Sequence, residues 1–358
     1  MLQFITRRLL MLIPVLIGIV LVTFVIVRLI PGDPCYVMLG EKATAEKCDE
    51  FKARYGLDDS IPEQFIRYMG NLLQGDFGTT IRDRRPVIDV VAERLPLTME
   101  LTFMAILFAS VVGVTFGVIA ALNRNSFLDV ATMIIANIGV SMPVFWLGLL
   151  LAYLFALILK DTPFYIPPSG RLSSGISLVP LAKIWGLEDW TGVPRFLLSL
   201  ISNSAILNGI LTGNFKLVKD AIWHLILPAT AVGTISMAIV ARMTRSSLLE
   251  TLGQDYIRTA RAKGLIERLV IIRHALRNAL IPIVTIIGLQ IGGLLSGAVL
   301  TETIFALPGV GSRMVEAILS RDYPVVQGFS LLVAFVFVFT NLLVDVSYAY
   351  LDPRIRLE

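Results

Sequence analysis

Asp255-Tyr-Ile-Arg-Thr-Ala-Arg-Ala-Lys-Gly264 stands in a polar loop between two long apolar runs, Leu225–Ala241 and Ala279–Thr301. A stretch with three cations and one carboxylate in ten residues must lie in water. Its flanks are long and apolar enough to lie in lipid. That alternation gives the fold class: an all-α polytopic membrane protein that holds a basic helix-plus-glycine handle out to a soluble partner on one side of a bilayer.

The rest of the chain repeats the pattern. Hydrophobic residues fill 56% of 358 positions and charged residues only 16%, with a mean hydropathy of +0.77. Soluble domains average about 45–50% and about 25%. The excess is concentrated in Leu9–Val27, Leu101–Leu122, Val130–Leu159, Leu225–Ala241, Ala279–Thr301 and Val325–Val344. A span needs about 20 apolar residues, so six transmembrane helices are expected. The third run is too long for a straight crossing and should kink near Pro143. Arg7 and Arg8 precede the first run, but it is too long for a secretory signal and Pro31-Gly-Asp-Pro34 ends it as a full span. Phe196–Thr212 is uncharged yet carries Ser199, Ser202, Asn203, Ser204, Asn208 and Thr212, and is read as an interfacial or externally packed helix.

Arginine placement orients the spans. Arg7 and Arg8 hold the amino end in the cytoplasm, and six crossings return the carboxyl end there, beside Arg354 and Arg356. The loop Arg242–Asn278 has eight Lys/Arg against three Asp/Glu and falls inside; Pro31–Pro96 has nine against twelve and falls outside. Inner arginines facing anionic lipid account for the basic balance without nucleic acid. The two cysteines, Cys35 and Cys48, lie in the outer segment, where a bridge and two unrelated small side chains both remain open. Gly113-x-x-x-Gly117, Gly288-x-x-x-Gly292 and Gly293-x-x-x-Gly297 suit close helix packing.

The runs contain Asn137, Gln290 and Asn341, while Glu100, Glu302 and Asp345 sit near run ends. Ion-coupled carriers place ionisable groups near mid-membrane, and that pattern is missing. The chain has no phosphate-cradling Gly-x-x-x-x-Gly-Lys-Ser/Thr, no Gly-x-Ser-x-Gly and no His-Glu-x-x-His. His224 and His274 are fifty residues apart on opposite expected sides, so neither a catalytic nor a metal pair is expected.

In the basic loop, Gly253 should break the preceding helix and Asp255 should cap a short one over Tyr256–Lys263. Lys263 suits the last turn and Gly264 a left-handed stop. A two-turn helix is not stable alone in water. A second amphipathic stretch, Ile266–Asn278, should lead into the fifth span. Docking element and lipid-headgroup anchor both fit these features.

The loop resembles the cytoplasmic signature of permease subunits of binding-protein-dependent ABC importers, whose general pattern is Glu-Ala-Ala, three residues, Gly, nine residues, an apolar residue, any residue, Leu-Pro. Here Arg258-Thr259-Ala260 stands at Glu-Ala-Ala, Gly264 at the glycine, His274 at the apolar place and Leu276-Arg277 at Leu-Pro. These departures match the variant of the dipeptide/oligopeptide/nickel branch. Pro31-Gly-Asp-Pro34, Gly75-Asp-Phe-Gly78, Arg94-Leu-Pro-Leu-Thr-Met-Glu-Leu101, Ser141-Met-Pro-Val-Phe-Trp146, Leu300-Thr-Glu-Thr-Ile-Phe305, Pro308-Gly-Val-Gly311, Arg321-Asp-Tyr-Pro-Val-Val-Gln327 and Asp352-Pro-Arg354 resemble that branch in order along the chain. Region 160–221 matches least.

The resemblance implies a type I importer permease fold. Residues 1–30 would be the tail and first helix and 31–96 an external segment. A five-helix core would occupy 97–350, with an external excursion at 160–221 between helices three and four and a cytoplasmic coupling loop at 242–278. A cytoplasmic tail, 351–358, would follow. It further implies a second homologous permease, two ATPase subunits that bind ATP and Mg, and an external solute-binding protein, with no catalysis and no cofactor on this chain. ATPase coupling would fall to Asp255, Tyr256, Arg258, Thr259, Ala260, Arg261, Ala262, Lys263, Gly264 and Leu276. Ala260 and Ala262 would allow close approach, and Arg258, Arg261 and Lys263 would meet acidic groups. Peptide is the expected cargo. Nickel chelates, glutathione or oligosaccharides on the same fold are alternatives, as is a carrier without ATPases.

Overall fold

A computed structural model of the chain describes residues 2–29, 35–36 and 43–351. Pro31-Gly-Asp-Pro34, Asp352-Pro-Arg354, the tail beyond residue 351 and the side chains of Arg7 and Arg8 lie outside the described residues. The described chain is helical, with a single isolated bridge between Thr79 and Pro86. The long helices are α1 (Leu2–Leu29), α4 (Val87–Leu122), α10 (Phe215–Leu252), α13 (Arg277–Ile304) and α15 (Tyr323–Leu351). Shorter ones are α2 (Ala45–Tyr55), α3 (Ile61–Leu73), α5 (Phe127–Ser141), α6 (Val144–Ala152), α7 (Leu181–Trp185), α8 (Gly192–Asn203), α9 (Ala205–Leu211), α11 (Asp255–Ala262), α12 (Glu267–Leu269) and α14 (Val310–Ser320).

Five of the six apolar runs are uninterrupted helices. The third is two, because Met142 and Pro143 interrupt it and α6 leaves α5 at 106°. Proline lacks the N–H that the helix ladder needs and its ring crowds the preceding turn. The expected kink is therefore a full break. Phe196–Thr212, expected as one interfacial or externally packed helix, is likewise two. It is divided between α8 and α9, bent by 94° at Ser204, whose hydroxyl caps α9 by accepting from the Leu207 N–H. By length and composition the described residues offer five straight spans, or up to seven if each bent pair is one, where the sequence led us to expect six.

Helix α10 is central: 78% of its most apolar window is buried, against 17% for peripheral α1. Its seam with α4 is glycine-dependent. A Cβ at Gly113 would lie 2.7 Å from the Met237 carbonyl oxygen, one at Gly117 2.4 Å from Thr244 Cβ, and one at Gly233 2.7 Å from the Ala105 carbonyl oxygen. Backbones approach this closely where no side chain intervenes. In α13 only part of the small-residue pattern packs: Gly292 abuts Phe337 of α15, whereas a Cβ at Gly293 would meet nothing within 4 Å.

At one end, α2–α3, α7–α9 and α14 gather over the helix termini. The Cys35–Cys48 disulfide is formed, with Cα atoms 5.5 Å apart. Arg28 Nε of α1 donates to Gln64 Oε1 of α3 (2.8 Å), and Phe24 meets Phe65 edge-on. Buried Glu302 accepts from Thr98 Oγ1 (2.6 Å) and Ser312 N (3.0 Å); Glu100 accepts from Ser204 Oγ (2.7 Å) and Ile206 N (2.8 Å). Each carboxylate ties a long helix to the segments that cap it.

Candidate functional site

The basic loop occupies the opposite end, where α10 stops at Gly253 and α13 begins. Helix α11 follows after a turn of two residues. Its N-cap is Gln254, in extended backbone, and Asp255 is the first helical residue, so the expected cap moves back by one. Asp255 still places a carboxylate against the N-terminal dipole. Gly264 closes the helix at φ +76°, a left-handed conformation that a β-carbon disfavours. The turn brings Leu265 back toward the protein, with its N–H donating to the Ala260 carbonyl (3.4 Å).

Two side chains at helical spacing, Ile257 and Ala260, fasten α11 to the membrane helices. Ile257 is fully buried and Ala260 is 7% exposed; both join a buried apolar cluster that also holds Val270 and Ala275 and extends to Ala121 of α4, Val240 and Leu248 of α10, and Ala279 and Ile283 of α13. This corrects the expectation for Ala260, which faces its own core while Ala262 is exposed. Asp255, Tyr256, Arg258, Thr259, Arg261, Lys263 and Gly264 are exposed with Ala262, and Leu276 is half-buried at the start of α13. The stretch Ile266–Asn278 is not a separate helix: α12 passes through a π-helical segment, Val270–Leu276, directly into α13.

The exposed cations are not equivalent. Arg261 makes a two-pronged pair with Glu267 (Nη2–Oε1 2.6 Å, Nε–Oε2 3.1 Å), and those hydrogen bonds hold the Glu267 carboxyl below the ordinary carboxylate range. Arg258 reaches Asp255 at 3.3 Å, with both side chains strongly exposed. Lys263 makes no ion pair among the described residues. Tyr256 is fixed by its hydroxyl, which accepts from Asn278 Nδ2 (2.8 Å), and Thr259 Oγ1 donates to the Asp255 carbonyl (3.0 Å). The result is a short rigid helix with an apolar floor and a polar, net cationic outer face. Among the described residues no three His, Cys, Asp or Glu side chains are placed to hold a metal ion.

One feature at this end escapes the sequence. Asp129 in the first turn of α5 accepts from Arg245 of α10 at 2.7 and 2.8 Å, and from the Asn125 N–H at 3.0 Å. Asp129 borders an apolar run and Arg245 is one of eight loop cations, and nothing local pairs residues 116 positions apart. The N-cap Ser126, which accepts from the Asp129 N–H, is the available local clue.

A fold of this kind and this loop meet in known families. Residues 113–357 match the family described as binding-protein-dependent transport system inner membrane component, and residues 1–102 match the N-terminal region of such membrane components. The chain belongs to this family. This permease is similar to the dipeptide transport system permease protein DppB of Alkalihalophilus pseudofirmus, with 45% identity over 356 residues covering 99% of this chain and 100% of the relative. It is 46% identical to the protein of the same name from Escherichia coli K12 over 357 residues, 99% of each. The oligopeptide transport system permease protein AppB of Bacillus subtilis is 37% identical over 357 residues, 99% of this chain and all of the relative. The permease is thus DppB-like along its length, as the ordered motifs implied.

Proposed function

We propose that this permease is a membrane subunit of an ATP-driven importer that carries di- or oligopeptides across the cytoplasmic membrane. It works beside a second homologous permease, two ATPase subunits that bind ATP and Mg, and an external peptide-binding protein. Helix α11 seats in an ATPase cleft, and closure of the ATPase pair moves it and reorients the spans. Such a shift needs differential contacts in the two states. The observation that carries this reading is the build of α11: an exposed cationic face on a helix whose two inward side chains join a buried apolar cluster shared with three long helices. A headgroup anchor would place apolar side chains outward, toward lipid; here the apolar pair faces in.

Full-length relatives with dipeptide and oligopeptide names support the cargo. The bridged Cys35–Cys48 supports an oxidising, external location for the opposite end, and the loop cations support a cytoplasmic location for α11, with both chain termini on that side. Membranes that hold the complete transporter should yield two ATPases with the tagged permease, and a crosslinker at position 263 should join it to one of them. Transport that proceeds with the ATPases removed, or a loop labelled from the external face, refutes the reading.

A further inference from the structure

A second site lies within the membrane. Beside the Pro143 break, α6, α10 and α13 border an open cavity of about 230 Å³ lined by Val144, Val232, Ile235, Ser236, Gln290 and Leu294, with side-chain-free Gly293 also in its lining. Ser236 and Gln290 stand near the midpoints of the two long helices. Gln290 Nε2 donates to Ser236 Oγ at 3.0 Å. Its side chain lines the cavity and makes no other hydrogen bond among the described residues. A carboxamide half-satisfied at mid-membrane is costly if it faces hydrocarbon, so its free donor and acceptor require a polar visitor. No lining residue is ionisable.

We infer that Gln290, held by Ser236, is a cargo-contacting residue of the translocation path that hydrogen-bonds the backbone amide of a passing peptide and ignores its side-chain charge. A primary carboxamide offers one N–H and one C=O side by side, the complement of a peptide group. The backbone amide is the one feature that peptides of any sequence share. A fixed charge here would favour one class of cargo and repel another. The missing Gly293 side chain keeps the space open. This inference rests on the peptide-import reading above.

The test uses the complete transporter in proteoliposomes with its binding protein, and Ala-Ala, Ala-Lys and Ala-Glu as cargo. In Gln290→Leu, peptide imported per ATP hydrolysed should fall roughly three- to tenfold, as expected for one lost hydrogen bond, and by the same factor for all three. In Gln290→Glu the import ratio of Ala-Lys to Ala-Glu should rise roughly tenfold or more. Both native cysteines are in the disulfide, so Gln290→Cys introduces a lone thiol. A membrane-impermeant thiol reagent should modify it during turnover, and saturating Ala-Ala should slow that modification. Leu289→Cys, on the exposed face, should not respond to peptide. The cysteine pair decides if the leucine variant does not assemble. The inference is overturned by unchanged import per ATP in Gln290→Leu, by a Gln290→Glu variant blind to cargo charge, or by a thiol at 290 indifferent to peptide. If wild type imports none of the three peptides, the functional reading falls and takes this site with it; if it imports them and only the variants disobey, this site alone falls.

Discussion

The two ends of the permease handle charge in opposite ways. At the end bearing the disulfide, two carboxylates are buried and consumed internally, beneath others that stay exposed: Glu302 and Glu100 each bind hydroxyl and backbone donors from neighbouring segments. At the α11 end the buried contacts are apolar, and the charges point outward. A buried, fully partnered carboxylate holds segments in place; an exposed cation on an apolar footing is left available. The first arrangement suits an end that stays assembled; under the proposed function, the second suits an end that a partner grips.

The largest effect should come from breaking the buried network. Glu302→Ala strips partners from the Thr98 hydroxyl and the Ser312 N–H, and should cost about 3 kcal/mol or more. Thermal unfolding in detergent would read this as a large drop in Tm; a drop no larger than that of a surface alanine variant would remove the distinction between the ends. Next is the exception at the α11 end, the Asp129–Arg245 pair. Asp129→Asn should cost about 1–3 kcal/mol, and a double-mutant cycle with Arg245→Met should return a favourable coupling. Zero coupling would mean that α5 is held by packing alone.

Gly264→Val should act more narrowly. A Cβ there meets no atom within 4 Å, so the cost is backbone strain at φ +76°, about 1–2 kcal/mol. ATPase stimulation by the loaded binding protein should fall well before Tm does. Equal stimulation in valine and wild-type complexes would detach α11 from the motor. The smallest effect belongs to Glu267. Its folded pKa is depressed by Arg261, so its contribution is fully present above the ordinary glutamate range. It should be lost as pH falls through the depressed value. An Arg261→Met variant should therefore differ slightly from wild type at neutral pH, merge with it in acid, and differ less in high salt.

The sequence revealed this molecule wherever the physics was local. Apolar runs became helices, Pro143 marked the interruption of the third, and Gly264 predicted a left-handed stop. The inward turn of Ala260 departs from the approach expected of it, although Ile257 three residues earlier completes an apolar stripe on an otherwise polar helix. What could not be read depends on distant partners. Pro143 marks where the run breaks, but the 106° between α5 and α6 is a tertiary quantity that no local residue states. The Asp129–Arg245 pair joins helices far apart in the chain. The carboxamide of Gln290 was visible as a polar residue within a span, but its half-satisfied state and the space before it exist only once α6, α10 and α13 meet.

The seating of Ile257 and Ala260 also sets the terms for any inhibitor that copies this loop. Excised from the protein, residues 255–264 lose the floor that keeps two turns wound, and two turns do not hold themselves in water. A peptide copy would spend its affinity on ordering itself. A useful mimic must bring its own scaffold, a hydrocarbon staple or a miniature bundle in place of the three helix ends, and leave Arg258, Arg261 and Lys263 facing out.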